Sequence, residues 1–180
     1  MDSLRGHLLI SSAGLYDPNF RHTVVLIGAH DDGGAVGVVL NRALDVEVVD
    51  AIAPLAGVAG PGAHLYEGGP VEPNLPVLLA ELSDTIHADL LVFGGVAFLT
   101  GDVSDEARDA IVRARVYAGH SGWGPGQLEE ELAADAWIVE PARVEDVFTN
   151  DPEGLWKAVL ERKGPEYRTI SMMPFDPRVN

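Results

Sequence analysis

The stretch with the most chemical potential is GHSGWGPG, at residues 119–126, which is followed at once by the acidic run QLEEEL. It brings a histidine, a serine and four glycines together. Three structures could use such residues: the nucleophile elbow of a hydrolase, a loop that binds phosphate, and a turn that joins a strand to a helix. Each structure requires particular residues at fixed spacings.

The spacing argues against a hydrolase elbow. That motif reads G-x-S-x-G, and Trp123 occupies the position of its second glycine. His120 directly precedes Ser121, and neighbouring side chains on an extended segment point to opposite faces. His120 is therefore badly placed to act as a base for Ser121.

A phosphate-binding loop has more physical appeal, because glycine-rich turns expose backbone N–H groups at the positive end of a helix. Neither G-x-x-x-x-G-K-S/T nor G-x-G-x-x-G occurs here, however, and the glutamates at 129–131 weaken the attraction for an anion. The spacing favours a structural turn. In that interpretation the glycines relieve strain, Trp123 fills the core beneath, and Pro125 begins a helix.

Several other residues at predicted strand ends could form a ligand pocket with this loop. His30 ends an apolar strand, and Asn41-Arg42 follow the strand VGVVL. Arg42 could hold a carboxylate or phosphate with two hydrogen bonds. The structural alternatives are turn residues and an ordinary ion pair, and they stay open. The candidate pocket comprises His30, Asn41, Arg42, Gly119, Gly122, Gly124 and Gln127.

Metal and cofactor sites have little support in the sequence. The chain has no cysteine, so it can form neither a disulfide framework nor a thiolate metal site. Its six histidines show none of the spacings typical of zinc ligands. We expect no metal and no cofactor.

The elements that must position these residues are mostly strands. Apolar and β-branched segments predict strands at 7–11, 23–29, 35–40, 64–67, 76–82, 91–100, 115–118, 137–139 and 167–171. Capping residues and apolar spacing predict helices at about 46–55, 105–112, 125–134 and 153–162. Hairpin signals such as DDGG at 31–34 favour a mixed, largely antiparallel sheet flanked by helices. We expect one α/β (mixed α+β) domain over residues 1–180, with an irregular tail at 171–180.

The charge is the most informative bulk property. Twelve Lys and Arg against 28 Asp and Glu give a net charge of −16, which repels the phosphate backbone of nucleic acids. The N-terminal residues do not resemble a signal peptide, and the apolar runs are shorter than the roughly 20 residues of a membrane helix. We expect a cytoplasmic protein that binds neither DNA nor a membrane.

Several motifs, taken in order, resemble the YqgE/AlgH family. They are GHLLISSAGLYDPNFRHTVVLI, GAVGVVLNR, EGGPV, YAGHSGWGPGQLEEEL, AWIVEPA and MPFDPRVN, and they span nearly the whole chain. The chain departs from the family pattern in three places. It has His120-Ser121 where the family commonly has Tyr-Ala, Ala43 where a proline commonly follows Asn-Arg, and Ala80 near a position that often carries histidine.

The resemblance implies a single α/β domain whose sheet curls towards a pseudo-barrel, with no established reaction, metal or cofactor. The family name derives from a proposed role in transcriptional regulation. We therefore expect a regulatory protein that acts through contacts with a protein or a small ligand, and not by direct DNA binding. The alternative is an enzyme or binder of a small anionic metabolite, with its pocket at the strand ends. The sequence does not decide between enzyme and binding protein.

Overall fold

Ten β-strands form one hydrogen-bonded sheet in the computed structural model, which describes residues 1–13, 15, 17–100 and 102–175. Aliphatic residues, many of them β-branched, are frequent in these strands because they pack well on a pleated surface. The strands are β1 (His7–Ser11), β2 (Val24–Asp31), β3 (Gly34–Val39), β4 (Ala43–Glu47), β5 (His64–Glu67), β6 (Val71–Leu82), β7 (Leu90–Phe93), β8 (Val96–Leu99), β9 (Ile111–Trp123) and β10 (Trp137–Pro141).

The strand order is β10-β1-β2-β3-β9-β6-β8-β7, and β5 attaches β4 to β9 outside this path. Within the described residues every pairing is antiparallel except that of β5 with β9, which is parallel. β9 pairs with three strands along its length, namely β3, β5 and β6. It consequently joins the two halves of the sheet.

The sheet curls so that strand β8, near one edge, lies against strand β2 in the other half of the sheet. A Cβ atom built on Gly28 would come within 2.4 Å of the Phe98 ring, and one on Gly6 within 3.2 Å of the Phe93 side chain. β7 and β10 still form the two edges of the main path, each paired with one neighbour. The expected mixed α/β domain with a largely antiparallel, curled sheet is confirmed, and the sheet is not closed into a barrel.

Short helices cover the sheet. Ser104 starts one of them as predicted, because its Oγ accepts a hydrogen bond from the backbone N–H of Ala107 at 3.1 Å. None of the helices in the described part of the chain is long and apolar enough to cross a membrane. The described helices are α1 (Val48–Ala51), α2 (Ala56–Ala59), α3 (Asp105–Ala110), α4 (Gln127–Ala133), α5 (Val144–Val147), α6 (Leu155–Lys163) and α7 (Arg168–Ser171).

Strands β1 and β2 and the second half of β3 are buried on both faces, which explains their continuous apolar sequences. Leu8 and Ile10 pack into the inner cluster with Trp156 of α6. Leu9 faces the opposite way and packs into a second cluster with Trp123. Complete burial of one such aliphatic side chain stabilises the fold by roughly 2 kcal/mol. A third cluster lies on the β6–β8–β9 part of the sheet, against the segments that contain α1 to α3.

Two predicted strands have different extents in the structure. The segment 91–100 was expected to be one strand, but Gly94-Gly95 divides it into the hairpin of β7 and β8. The strand expected at 115–118 extends over the whole of β9 and includes GHSGW. The turn predicted over the glycines at 119–126 was therefore wrong for residues 119–123, and the turn falls at Gly124–Gly126. The helix begins at Gln127 and not at Pro125.

Two further segments also differ from expectation. The helix expected at 46–55 is broken into the end of β4, the single turn α1 and a 3-10 turn that contains Pro54. The strand expected at 167–171 is helical instead, because Tyr167 and Ile170 are three residues apart and both pack on the inner cluster. Of the expected irregular tail, Ser171 belongs to α7 and residues 176–180 lie outside the described residues.

Candidate functional site

His30 is fully engaged near the turn of the β2–β3 hairpin. Its ring is buried, and Nδ1 accepts a hydrogen bond from the backbone N–H of Leu4 at 3.0 Å. Because Nδ1 accepts, Nε2 carries the proton and donates it to Oε1 of Glu129 at 2.7 Å. This bond holds the pKa of Glu129 below its ordinary value. His30 thus ties the N-terminal segment and α4 to β2, and neither ring nitrogen is left for chemistry.

An acidic cavity of about 490 Å³ lies beside His30. Asp31, Asp32 and Glu129 border it, so an anionic ligand there would face three carboxylates. Within the described residues no group of three or more histidine, aspartate or glutamate side chains could hold a metal ion. The surroundings of His30 therefore do not favour the small anion of the alternative hypothesis.

Asn41 and Arg42 hold the segment that leads into β2. The Asn41 side chain accepts a hydrogen bond from the N–H of Val24 at 3.0 Å and donates one to the carbonyl of His22 at 2.8 Å. The Arg42 guanidinium donates to the carbonyls of Asn19, Pro18 and Arg21. Burial lowers the pKa of Arg42 from its ordinary value. Both side chains replace backbone pairings that this irregular segment lacks.

The predicted pocket residues do not meet at one place. His30 pairs with Ala35 beside the hairpin turn, whereas Asn41 binds Val24 at the open end of the same hairpin. Six residues of β2 separate these ends, which is about 20 Å. Gly124 and Gln127 lie beyond the end of β9, on the His30 side. The structure therefore brings His30 close to α4 but places Arg42 elsewhere.

Gly119 and Gly122 act as strand glycines in β9. Gly119 has a φ of +72°, and a Cβ there would lie 2.6 Å from the Gly69 carbonyl oxygen and 2.9 Å from that of Val71. Gly68 approaches Gly119 in the same way, since its Cβ would lie 2.3 Å from the Gly119 oxygen. The EGGPV and GHSG motifs thus let two backbones pack in direct contact.

Ser121 is a structural residue in this arrangement. It is 0% exposed, and its Oγ donates a hydrogen bond to the Gly68 carbonyl at 3.1 Å. A serine nucleophile needs an exposed Oγ and a base within hydrogen-bond reach. Ser121 has neither, so the structure agrees with the rejection of a hydrolase elbow.

The motif QLEEEL forms a hydrogen-bond network at the start of α4. Gln127 accepts from the N–H of Gly124 at 3.0 Å and donates to Glu131 at 3.0 Å. Glu131 also accepts from the indole N–H groups of Trp123 at 2.9 Å and Trp137 at 2.7 Å. The network therefore fixes two buried tryptophans, as the prediction that Trp123 fills the core implies.

His120 differs from these engaged residues, because its side chain makes no hydrogen bond or ion pair within the described part of the chain. It borders a cleft of about 490 Å³ whose other side chains are almost all apolar. Val36 and Leu75 on this cleft are 43% and 54% exposed. The apolar cleft is defined by Val36, Leu75, Pro76, Leu90, Phe98 and His120.

The sequence prediction missed the apolar cleft because it treated residues before 76 as a connection. In the structure β6 starts at Val71, which pairs with His120, and the next register partner is Pro76 with Ala118. The residues between them bulge outwards, and Glu72 has a φ of +47°. Pro73 and Pro76 were the available signal, since prolines inside a strand mark bulges.

The chain matches known proteins along most of its length. A family model described as AlgH-like matches residues 8–168. The chain belongs to the AlgH-like family. This confirms the resemblance to the YqgE/AlgH family that the sequence motifs indicated, and it includes the glycine motifs of β5 and β9.

Bacterial relatives of the AlgH-like family agree with this assignment. A UPF0301 protein of Streptomyces avermitilis is 36% identical, over 100% of this chain and 97% of the relative. One of Mycobacteroides abscessus is 37% identical, over 95% of this chain and 85% of the relative. The family remains functionally uncharacterised in these relatives, whose names give no activity.

Two solved structures share the fold. A crystal structure of protein DIP2367 from Corynebacterium diphtheriae has a TM-score of 0.85 and 25% identity, over 96% of this chain and 93% of that chain. A solution structure of the AlgH protein from Pseudomonas aeruginosa has a TM-score of 0.71 and 28% identity, over 95% of this chain and 94% of that chain. The AlgH-like fold is thus the same in distant members.

Proposed function

We propose that this AlgH-like protein is a regulatory protein of the cytoplasm that binds a partner protein through the apolar cleft. The observation that carries the proposal is the combination of a concave apolar surface with an unengaged histidine. Ligand and partner sites commonly place a small number of polar groups among apolar side chains. His120 and Thr100 are the polar residues among those that line the cleft.

Exposed apolar residues extend the cleft beyond its cavity. Val71, which pairs with His120, is 39% exposed, and the exposed Val36 pairs with Gly122 two residues further along β9. A Cβ on Gly122 would lie 3.8 Å from the Val71 side chain, so Val71 and β9 are in contact range. Contiguous exposed apolar residues of this kind mark interaction surfaces. They favour a partner protein over a small molecule, which would need only the cavity.

The net charge of −16 favours a partner that carries positive charge. Complementary charge speeds association and excludes wrong partners. We expect the partner to present a few apolar side chains flanked by basic residues. The same charge repels DNA, so regulation by direct DNA contact has no support.

The alternative of an anionic metabolite at the strand ends has less support. His30, Asn41 and Arg42 already use their hydrogen-bonding groups within the protein. No reaction follows from their geometry, and we propose a binding protein in preference to an enzyme.

The test compares wild type with Leu75→Asp, and uses Ile86→Asp as the matched control because Ile86 is 79% exposed outside the cleft. Each protein is immobilised and challenged with an extract of the native bacterium. A candidate partner retained by wild type and control is then purified and titrated against all three. We expect Leu75→Asp to weaken its binding at least about tenfold and Ile86→Asp to leave it unchanged.

Three outcomes would contradict the proposal. Equal affinity of the purified partner for wild type and Leu75→Asp would remove the cleft as the interface. A small apolar molecule retained in the cleft, detected by native mass spectrometry, would replace the partner protein. A gel shift with DNA that weakens steeply with salt would restore direct DNA regulation.

A further inference from the structure

A third cavity, chemically unlike the apolar cleft, lies between the paired strands β4 and β5, strand β9 and the segment that precedes α6. Its volume is about 460 Å³. Buried Tyr66 and half-buried Arg115 form its inner part, while the exposed residues Asp45, His64 and Glu153 form its outer part. The polar cavity, defined by these five residues, therefore has a cation inside and two carboxylates outside.

Arg115 is held in place without a carboxylate partner. Its two terminal nitrogens donate to the carbonyls of Val147 and Thr149, and the guanidinium lies 4.8 Å from the centre of the Tyr66 ring. Within the described residues no carboxylate oxygen lies within 4.0 Å of it. A guanidinium has five N–H donors, so three stay available on a side chain that is already oriented.

Arg113, two residues earlier on β9, shows the usual alternative. Its Nε donates to Glu81 at 2.6 Å in an ion pair, and it lies outside the polar cavity. Arg113, Lys157, Arg162 and Lys163 form ion pairs with carboxylates, whereas Arg115 is oriented by backbone carbonyls beside a cavity. An external anionic group can therefore bind Arg115 without displacing a carboxylate of the protein.

Two neighbouring side chains can add hydrogen bonds. The Tyr66 hydroxyl has no hydrogen bond with the described residues, and burial raises the pKa of Tyr66, so the hydroxyl stays protonated as a donor. The His64 Nδ1 donates to the Leu44 carbonyl at 2.8 Å, which leaves Nε2 as an acceptor. The cavity thus offers both donors and acceptors.

The outer carboxylates decide which ligand fits. A simple anion would bind Arg115 but would lie near Asp45 and Glu153, which border the same cavity. A ligand that also carries an amine turns this repulsion into attraction. We propose that the polar cavity binds a small zwitterion of the amino-acid class, with its carboxylate on Arg115 and its ammonium group towards Asp45 and Glu153. This site is separate from the apolar cleft and does not depend on a partner protein.

Isothermal titration of the purified full chain tests the site with defined probes. The probes are L-alanine, L-glutamate, L-arginine and L-phenylalanine, with propionate and ethylamine as half-molecules. We expect at least one amino acid to bind and both half-molecules to bind at least about tenfold more weakly. Arg115→Gln should weaken binding of the amino acid at least about tenfold, because a charge-assisted hydrogen-bond pair is lost.

Arg113→Gln is the matched control on the same strand and should leave the affinity unchanged. Asp45→Asn changes only an exposed residue of the cavity, so it keeps the test valid if Arg115→Gln does not fold. It should weaken binding of the amino acid but leave binding of propionate unchanged. Absence of binding by all four amino acids would overturn the proposal. Propionate binding as tightly as the amino acids would overturn it too, as would unchanged affinity in both Arg115→Gln and Asp45→Asn. Leu75→Asp should not affect this titration, so failure of the apolar cleft and failure of this site are distinguishable.

Discussion

The β2–β3 hairpin region contains His30 and Arg42, and strand β9 contains His120 and Arg115, but the structure uses the two pairs differently. In the first region, His30 binds Leu4 and Glu129, and Arg42 binds three carbonyls. On β9, the His120 side chain makes no hydrogen bond within the described residues, and Arg115 donates to two carbonyls while three of its five N–H groups have no hydrogen-bond partner there. Arg115 borders the polar cavity and His120 borders the apolar cleft.

The difference shows that residue type at a strand end does not identify a site. A buried polar group is normally hydrogen-bonded, and a fully engaged group stabilises the fold. A polar group that is oriented but not engaged is available for a ligand. We therefore assign structural roles to His30, Asn41 and Arg42 and propose binding roles for His120 and Arg115 of β9.

Gly119→Ala should give the largest loss of stability, because Gly119 of β9 lies in direct contact with the backbone of Gly69 and Val71. A positive φ and a Cβ within 3.0 Å of three backbone atoms together should lower the free energy of unfolding by about 3 kcal/mol. Gly57→Ala is the control, since its Cβ would meet no atom within 4 Å. Urea denaturation measures both. Equal stability of the two variants would show that β9 does not depend on this contact.

Asn41→Ala should give the next largest loss, about 2 kcal/mol, if the hairpin residues are structural. The change leaves the N–H of Val24 and the carbonyl of His22 without their partners. Asn74→Ala, at an exposed residue of the β6 bulge, should change stability by less than about 0.5 kcal/mol. A thermal unfolding curve for Asn41→Ala that matches the curve for Asn74→Ala would contradict the structural role.

Glu131→Ala extends the engaged region to α4 and should cost between about 1 and 2 kcal/mol. It removes the acceptor of two buried indole N–H groups, although Glu131 itself is only half-buried and water can replace part of the interaction. Glu130→Ala is the control on an exposed neighbour. Tryptophan fluorescence during denaturation reports on Trp123 and Trp137 together with Trp156. An unchanged midpoint for Glu131→Ala would mean that the network does not stabilise the fold.

The smallest effect is a pH dependence at Glu129. Because the hydrogen bond from His30 lowers the pKa of Glu129 in the folded state, its contribution to stability is present above pH 4.5, the ordinary value. It is lost as the pH falls through the lower folded-state pKa. Carboxyl-carbon NMR should give a midpoint below 4.5 in wild type and a higher midpoint in His30→Ala. The same midpoint in both proteins would show that His30 does not lower the pKa of Glu129.

The sequence predicted the fold better than it predicted the site. The β1, β2, β3 and β5 strands, the α3 cap and the buried tryptophans follow from apolar spacing and capping residues, which act locally. The turn expected at Gly119 was wrong because its glycines serve a contact with Gly68 and Gly69, about fifty residues away in the sequence. Whether His30 or Arg115 is engaged depends on such distant partners, and no local pattern records them.

Chemical denaturation of His30→Ala and His120→Ala side by side measures how much each histidine side chain stabilises the fold. We expect His30→Ala to lose about 2 kcal/mol of unfolding free energy, because it breaks two hydrogen bonds and empties a buried position. His120→Ala should change the value by less than about 0.5 kcal/mol. Equal losses, or a larger loss for His120→Ala, would contradict the division between engaged hairpin residues and available residues of β9.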